Sequence, residues 1–262
     1  MSRKAIRGEQ MGYSIGIDIG STCAKAVVVD ENRDLCFRLV QPTGWSGVDT
    51  AEGLGNALRK AGFDPAVLPV VATGYGRVTV PYAQKTITEI TCHARGACRL
   101  FGQENLTVID IGGQDTKIIA VREGAVQDFL MNDKCSAGTG RFLEVMANIL
   151  ALRPQELCDL ARGGGGTAIS SMCTVFAESE VISLIGRGER RENIAFAVVD
   201  SIVQKVVSQA GKLAGATGTV CLTGGLCQCA YVREALSRAL GQPVHTCDDG
   251  RFAGAVGAAL SA

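Results

Sequence analysis

SIGIDIGSTCAKAVVVD (residues 14–30) and LTVIDIGGQDTKIIAVR (residues 106–122) read alike when laid one over the other, with Asp18 on Asp110, Gly20 on Gly112 and Lys25 on Lys117. In each, an apolar run of strand length ends in Asp, a glycine turn follows at once, and a second apolar run returns. The repetition is the sequence mark of an internal duplication. Around the first stretch the pattern predicts strands at 14–18, 24–30 and 35–40, a helix at 49–61, a strand at 68–72 and a helix at 86–101. Around the second it predicts strands at 106–110, 116–122 and 125–131. Helices are expected at 140–152, 154–161, 176–185 and 192–213, then a strand at 219–223 and helices at 230–240 and 252–260. The expected domains are 12–105, with the C-terminal helix 250–262 returning to it, and 106–249. No Pro- or Ser-rich linker separates them, so they are expected to share a deep cleft.

Charge narrows the function classes. Lys and Arg number 26 against 26 Asp and Glu, so no basic field exists to hold nucleic acid or an anionic membrane. Apolar runs such as 194–199 fall far short of the roughly 18 residues that span a bilayer. The basic start (Arg3, Lys4, Arg7) leads into Gly, Ser and Asp instead of an apolar signal core, which predicts a cytoplasmic protein. Residues 1–10 lack periodicity, precede a second Met at position 11 and read as a loose extension or an alternative start. Eleven cysteines in such a compartment are expected as reduced thiols, and an odd total cannot pair completely.

The two hairpins carry the first chemistry. Backbone N–H groups of a glycine turn can wrap phosphate oxygens. A carboxylate beside that turn repels phosphate, so its natural partner is a hydrated Mg²⁺ bridging nucleotide oxygens. Asp18 and Asp110 are therefore the Mg²⁺ candidates. Gly20, Ser21, Thr22 and Lys25, with Gly112, Gly113 and Gln114, are the phosphate candidates, and Gln114 or Asp115 is the candidate to orient an attacking water. A third turn, Thr223-Gly224-Gly225, follows an apolar strand and is placed to take the nucleoside. The run 163–166 lacks the Lys-Ser/Thr and the preceding strand of a phosphate loop and reads as a connector.

These motifs resemble the phosphate and adenosine motifs of the ATPase superfamily of sugar kinases, actin and the heat-shock chaperone ATPases. The resemblance implies an α/β actin-like (ribonuclease H-like) ATPase fold, with two duplicated βββαβα subdomains around a nucleotide cleft. More narrowly, TGYGR (73–77), IDIGGQDTK (109–117), NDKCSAGTGRFLEVMANIL (132–150) and CTVFAESEVISL (173–184) resemble the ATP-dependent activators of 2-hydroxyacyl-CoA dehydratases, within the benzoyl-CoA reductase-type ATPase family. The likeness runs from about Tyr13 to the C-terminus. At Cys229 the chain departs from the family, which places Asn there close to the nucleotide.

Cys135 and Cys173 each precede a predicted helix, where the macrodipole favours a thiolate. Local sequence leaves them open as packed residues or ligands, and the resemblance assigns them as ligands. A cubane cluster takes about four thiolates, so two copies of the chain related by a two-fold axis would supply them. The resemblance implies one four-iron four-sulfur cluster per homodimer, ATP/ADP and Mg²⁺ as further cofactors, and oxygen sensitivity. It also implies an iron–sulfur dehydratase or reductase as electron acceptor, with flavodoxin or ferredoxin as donor. Cys23, Cys36, Cys92, Cys98, Cys158 and Cys221 fall in strand or helix runs and read as packing residues. Cys227, Cys229, His245 and Cys247 have zinc-ligand types without a known zinc spacing. His93 lies on a predicted helix and reads as structural sooner than catalytic. The alternative function is a small-molecule kinase of the same superfamily, for which no base for an acceptor hydroxyl stands out.

Overall fold

A computed structural model describes residues 12–171, 173–213 and 218–262; the extension at 1–10 lies outside them. The chain forms two compact units, one running to Gln103 and taking back Phe252–Ala262, the other Glu104–Arg251.

The first unit is built on a five-stranded sheet of order β3-β2-β1-β4-β5. Its strands are β1 (Ser14–Ile19), β2 (Cys23–Val29), β3 (Leu35–Pro42), β4 (Val70–Thr73) and β5 (Lys85–Thr86). The central strands are buried on both faces, which is why they read as continuous apolar runs and not as alternating ones. Ile15, Ile17, Ala24, Ala26 and Val28 pack with Ala51, Leu54 and Leu58 of helix α1 (Gly47–Lys60). Val27 and Val29 pack with Ala255, Val256 and Ala259 of α8 (Ala253–Ala259). Helix α2 (Glu89–Phe101) completes this side, with Cys92 packed against Val71 and Ala258. Glycines permit the close approach: a methyl at Gly16 would overlap the Ala255 carbonyl oxygen, and one at Gly96 the Ala253 carbonyl oxygen.

The second unit repeats the order as β8-β7-β6-β9-β10. These are β6 (Leu106–Ile111), β7 (Thr116–Arg122), β8 (Ala125–Asn132), β9 (Thr219–Gly224) and β10 (Val244–His245). In both sheets the first strand lies antiparallel to the second and parallel to the fourth. Five helices follow: α3 (Gly140–Ile149), α4 (Pro154–Ala161), α5 (Thr174–Gly186), α6 (Arg191–Ala210) and α7 (Ala230–Leu240). Their apolar faces join one core with Ile109, Ile118 and Leu222 of the sheet.

Several element ends differ from expectation, among them the end of the helix from 140, which stops at Ile149. The helix expected from 86 starts at Glu89, because Thr86 pairs with Ala72 as part of β5. The edge strands β5 and β10 have two residues each, too short for any periodicity to register. The helix expected to 213 ends at Ala210, where Gly211 caps it.

Candidate functional site

The first glycine turn is closed by the Gly20 N–H donating to the Cys23 carbonyl at 3.1 Å, the second by Gly112 N–H to Asp115 at 2.9 Å. Strand register then builds the same constellation twice. Asp18 faces Lys25 on the antiparallel neighbour and Thr73 on the parallel one. Asp110 faces Lys117 and Thr223 in the same way. The Lys25 Nζ stands 3.2 Å from Asp18 Oδ2, and the Lys117 Nζ stands 3.5 Å from Asp110 Oδ2 and 2.6 Å from Asp115 Oδ2. Asp18, Asp110 and Lys117 are all buried. Such charges are tolerable out of water only because they neutralise one another.

The glycine after each threonine has a left-handed backbone, φ 91° at Gly74 and 81° at Gly224. A methyl there would overlap the Ile19 and Ile111 carbonyl oxygens respectively. Thr73 and Gly74 enter the sequence reading only as part of TGYGR (73–77). The signal was present: the parallel strand of each repeat ends in Thr-Gly, as VVATG and VCLTG. The repeats differ in the hydroxyl as well as in the second carboxylate on Lys117. The Thr223 hydroxyl donates to Asp110 Oδ1 at 2.8 Å, whereas the Thr73 hydroxyl donates to the Ile87 carbonyl at 2.9 Å.

Ser21 and Gln114 are exposed at the turn tips, while Thr22 and Asp115 are half-buried. Asp115 holds Lys117, so of the two candidates for orienting water, Gln114 has its side chain toward solvent and Asp115 is engaged. Gly113 belongs to the same turn, and Gly225 opens the turn 225–228 that follows β9.

The cysteine segments both lie in the second unit. Cys135 sits in the loop between β8 and α3, and Cys173 is the N-cap residue of α5. Both thiols are exposed. Cys173 therefore stands at a helix N-terminus and Cys135 does not. The first N–H groups of α3 are already taken, Gly140 donating to the Gly112 carbonyl at 2.9 Å and Arg141 to that of Gly113 at 2.7 Å. Asn132 Nδ2 shapes the loop by donating to the Cys135 and Ala137 carbonyls at 2.9 and 3.1 Å. Thr116 Oγ1 ties it to β7 through the Gly138 carbonyl at 2.8 Å. The residues after the two cysteines meet, with Ser136 Oγ and Thr174 Oγ1 hydrogen-bonded at 2.7 Å. Before Cys173, the Glu180 carboxylate accepts from the Ser170 and Ser171 N–H groups at 3.1 and 3.2 Å.

Apolar side chains are exposed beside both cysteines in the chain: Phe129 and Met131 before Cys135, Val175 and Phe176 after Cys173. Helix α5 also exposes Ile182 and Ile185. Among the described residues, no group of three or more His, Cys, Asp and Glu side chains is placed to hold a metal within one chain. Of the zinc-type residues, Cys227 and Cys229 are buried, Cys247 is half-buried and His245 is exposed. Burial pushes the Cys227 thiol up to about 11. A hydrogen bond to Cys229, together with burial, pushes the Cys158 thiol up as well. Cys229 Sγ also reaches Gln155 Oε1 at 3.2 Å.

Known proteins resemble this chain over nearly its whole length. The (R)-2-hydroxyglutaryl-CoA dehydratase activating ATPase of Acidaminococcus fermentans is 40% identical over 253 residues, covering 95% of this chain and 96% of the relative. The activator of lactoyl-CoA dehydratase of Anaerotignum propionicum is 41% identical, covering 95% and 97%. The solved structure of the activator of 2-hydroxyisocaproyl-CoA dehydratase from Clostridium difficile, with bound ADPNP, superposes with a TM-score of 0.87 at 38% identity, covering 95% of this chain and 94% of that one. The fold is the α/β actin-like ATPase fold. Residues 15–262 match the BadF/BadG/BcrA/BcrD ATPase family, and the chain belongs to that family of ATP-hydrolysing enzymes.

Proposed function

We propose that this ATPase is a homodimeric activator that uses ATP hydrolysis to deliver a low-potential electron to a 2-hydroxyacyl-CoA dehydratase or a related iron–sulfur reductase; the names of its relatives support the activation of such a dehydratase. Flavodoxin or ferredoxin is the donor, and the setting is cytoplasmic. Asp18 and Asp110 position Mg²⁺, while 20–22 with Lys25 and 112–113 hold phosphates. Thr223, Gly224 and Gly225 receive the nucleoside, and Gln114 orients the water that attacks the terminal phosphate. Cys135 and Cys173 of each of two copies would hold a four-iron four-sulfur cluster, which when bound supplies one-electron storage at low potential.

The observation that carries this reading is a short hydrogen-bonded route within the second unit. The carbonyls of Gly112 and Gly113 accept from the first N–H groups of α3, next to the Cys135 loop. That loop is tied in turn to the start of α5 through Ser136 and Thr174. A change at the phosphate turn on hydrolysis therefore moves backbone that carries both cysteines. Movement of ligand segments alters the dipoles and solvent access that set a bound group's potential. Anaerobic purification with iron and sulfide analysis tests the proposal. About four irons and four sulfides per dimer are expected; a colourless, iron-free dimer after reconstitution overturns it.

A further inference from the structure

We propose that His93 is a positioning residue that holds the Asp18 carboxylate in the orientation needed for Mg²⁺-nucleotide, an inference that rests on Asp18 being a Mg²⁺ residue. His93 lies on α2 and is 6% exposed; Asp18 ends β1 and is 3% exposed. The two groups converge at Gly254 of α8, where a methyl would stand 2.9 Å from His93 Nε2 and 3.0 Å from Asp18 Oδ2. Two further glycines bring them there. Gly16 lets α8 lie directly on β1, and Gly96 lets α2 lie directly on α8, each with a backbone oxygen where a methyl would be.

The difference between the repeats supplies the reason. Asp110 receives the hydroxyl of its register partner Thr223 in addition to its lysine. Asp18 has its lysine, but the hydroxyl of its register partner Thr73 has one proton and gives it to the Ile87 carbonyl. The first repeat thus lacks the threonine hold found in the second, and the imidazole of His93 stands where it can replace that hold. A carboxylate that serves a cation is oriented by its outer partners, and loss of such a partner weakens metal affinity by about 10–100-fold.

The test uses the full chain, with ADP as probe, measured by calorimetry across a Mg²⁺ titration and again in EDTA. His93→Leu is expected to raise the Mg²⁺ concentration for half-maximal Mg²⁺-dependent binding about ten-fold, with affinity in EDTA unchanged. Gln places its amide nitrogen near the position of Nε2 and Asn near that of Nδ1. His93→Gln should therefore keep the wild-type Mg²⁺ dependence and His93→Asn should not, a contrast that loss of packing alone would not produce. Equal behaviour of the Gln and Asn variants overturns the inference. Asp18→Asn separates the two levels. A shift there without one in His93→Leu removes the role of His93 alone, whereas no shift in Asp18→Asn removes the assignment of Asp18 and this inference with it.

Discussion

Ser136 Oγ and Thr174 Oγ1 lie 2.7 Å apart, so the residue that follows Cys135 and the residue that follows Cys173 share one hydrogen bond although 38 positions separate them in the chain. The bond adds a direct tie between two exposed cysteine segments whose following helices, α3 and α5, also share one apolar core. Each hydroxyl serves as partner to the other, so removing one leaves the other to find a new partner in a half-buried place.

Ser136→Ala and Thr174→Val should each cost about 1 kcal/mol, and the double variant little more than either single one. Chemical denaturation of the four-member cycle measures the coupling. Strict additivity would show that the two hydroxyls do not act together.

Lys117 is the largest fully buried side chain with a charge, enclosed by Asp110 and Asp115. Lys117→Met fills the space but leaves two carboxylates without their cation, which should destabilise the protein by about 3–5 kcal/mol. Lys25→Met should cost less, because the Lys25 side chain is 14% exposed and water can replace part of its field. Urea midpoints at neutral pH decide the order, and a smaller loss for Lys117→Met would refute it.

Gly224→Ala should destabilise by about 1–3 kcal/mol from its left-handed backbone, and by more where the methyl meets the Ile111 carbonyl oxygen. Gly124→Ala is the control. Gly124 also has a positive φ, of 71°, but a methyl there meets nothing. Only Gly224→Ala should reduce nucleotide affinity, read by calorimetry.

Thiol labelling sorts the cysteines. With N-ethylmaleimide at pH 8, the exposed Cys36, Cys135 and Cys173 of iron-free protein should react first. Burial pushes Cys92 and Cys227 up to about 11, so both stay protonated and unreactive in the folded chain. If iron and sulfide reconstitution protects Cys135 and Cys173 while Cys36 stays reactive, the ligand assignment holds; protection of all three or of none counts against it. The same raised values give a pH dependence. The folded state keeps protons that the unfolded thiols release above their ordinary value of 9.0, so this stability is complete below that pH and is lost as pH rises toward about 11. Cys92→Ala should flatten the alkaline limb of a stability–pH curve.

Much of this was legible because the duplication wrote the same words twice. Asp18 and Asp110, Lys25 and Lys117, and the two glycine turns stand out by local pattern, since a buried strand must end before a turn and a charge at that end needs a reason. Thr73 does not stand out, and His93 reads from the sequence as a structural residue. A threonine closing an apolar strand and a histidine within a helix are each ordinary in isolation. Their meaning lies in parallel register and in the close packing of α8 against β1 and α2.

The sequence by itself determined that the chain is an internally repeated α/β ATPase of known kinship, because apolar runs, glycine turns and paired acidic ends are local and survive in one dimension. Only the tertiary structure decided which groups face one another. It set Thr223 and not Thr73 on a carboxylate, brought both His93 and Asp18 against Gly254, and placed Cys135 away from a helix end whose N–H groups donate to the Gly112 and Gly113 carbonyls. Strand register and helix crossing join residues far apart in the chain, and no spacing along the chain encodes which hydroxyl, imidazole or carbonyl will be within about 3 Å of which partner.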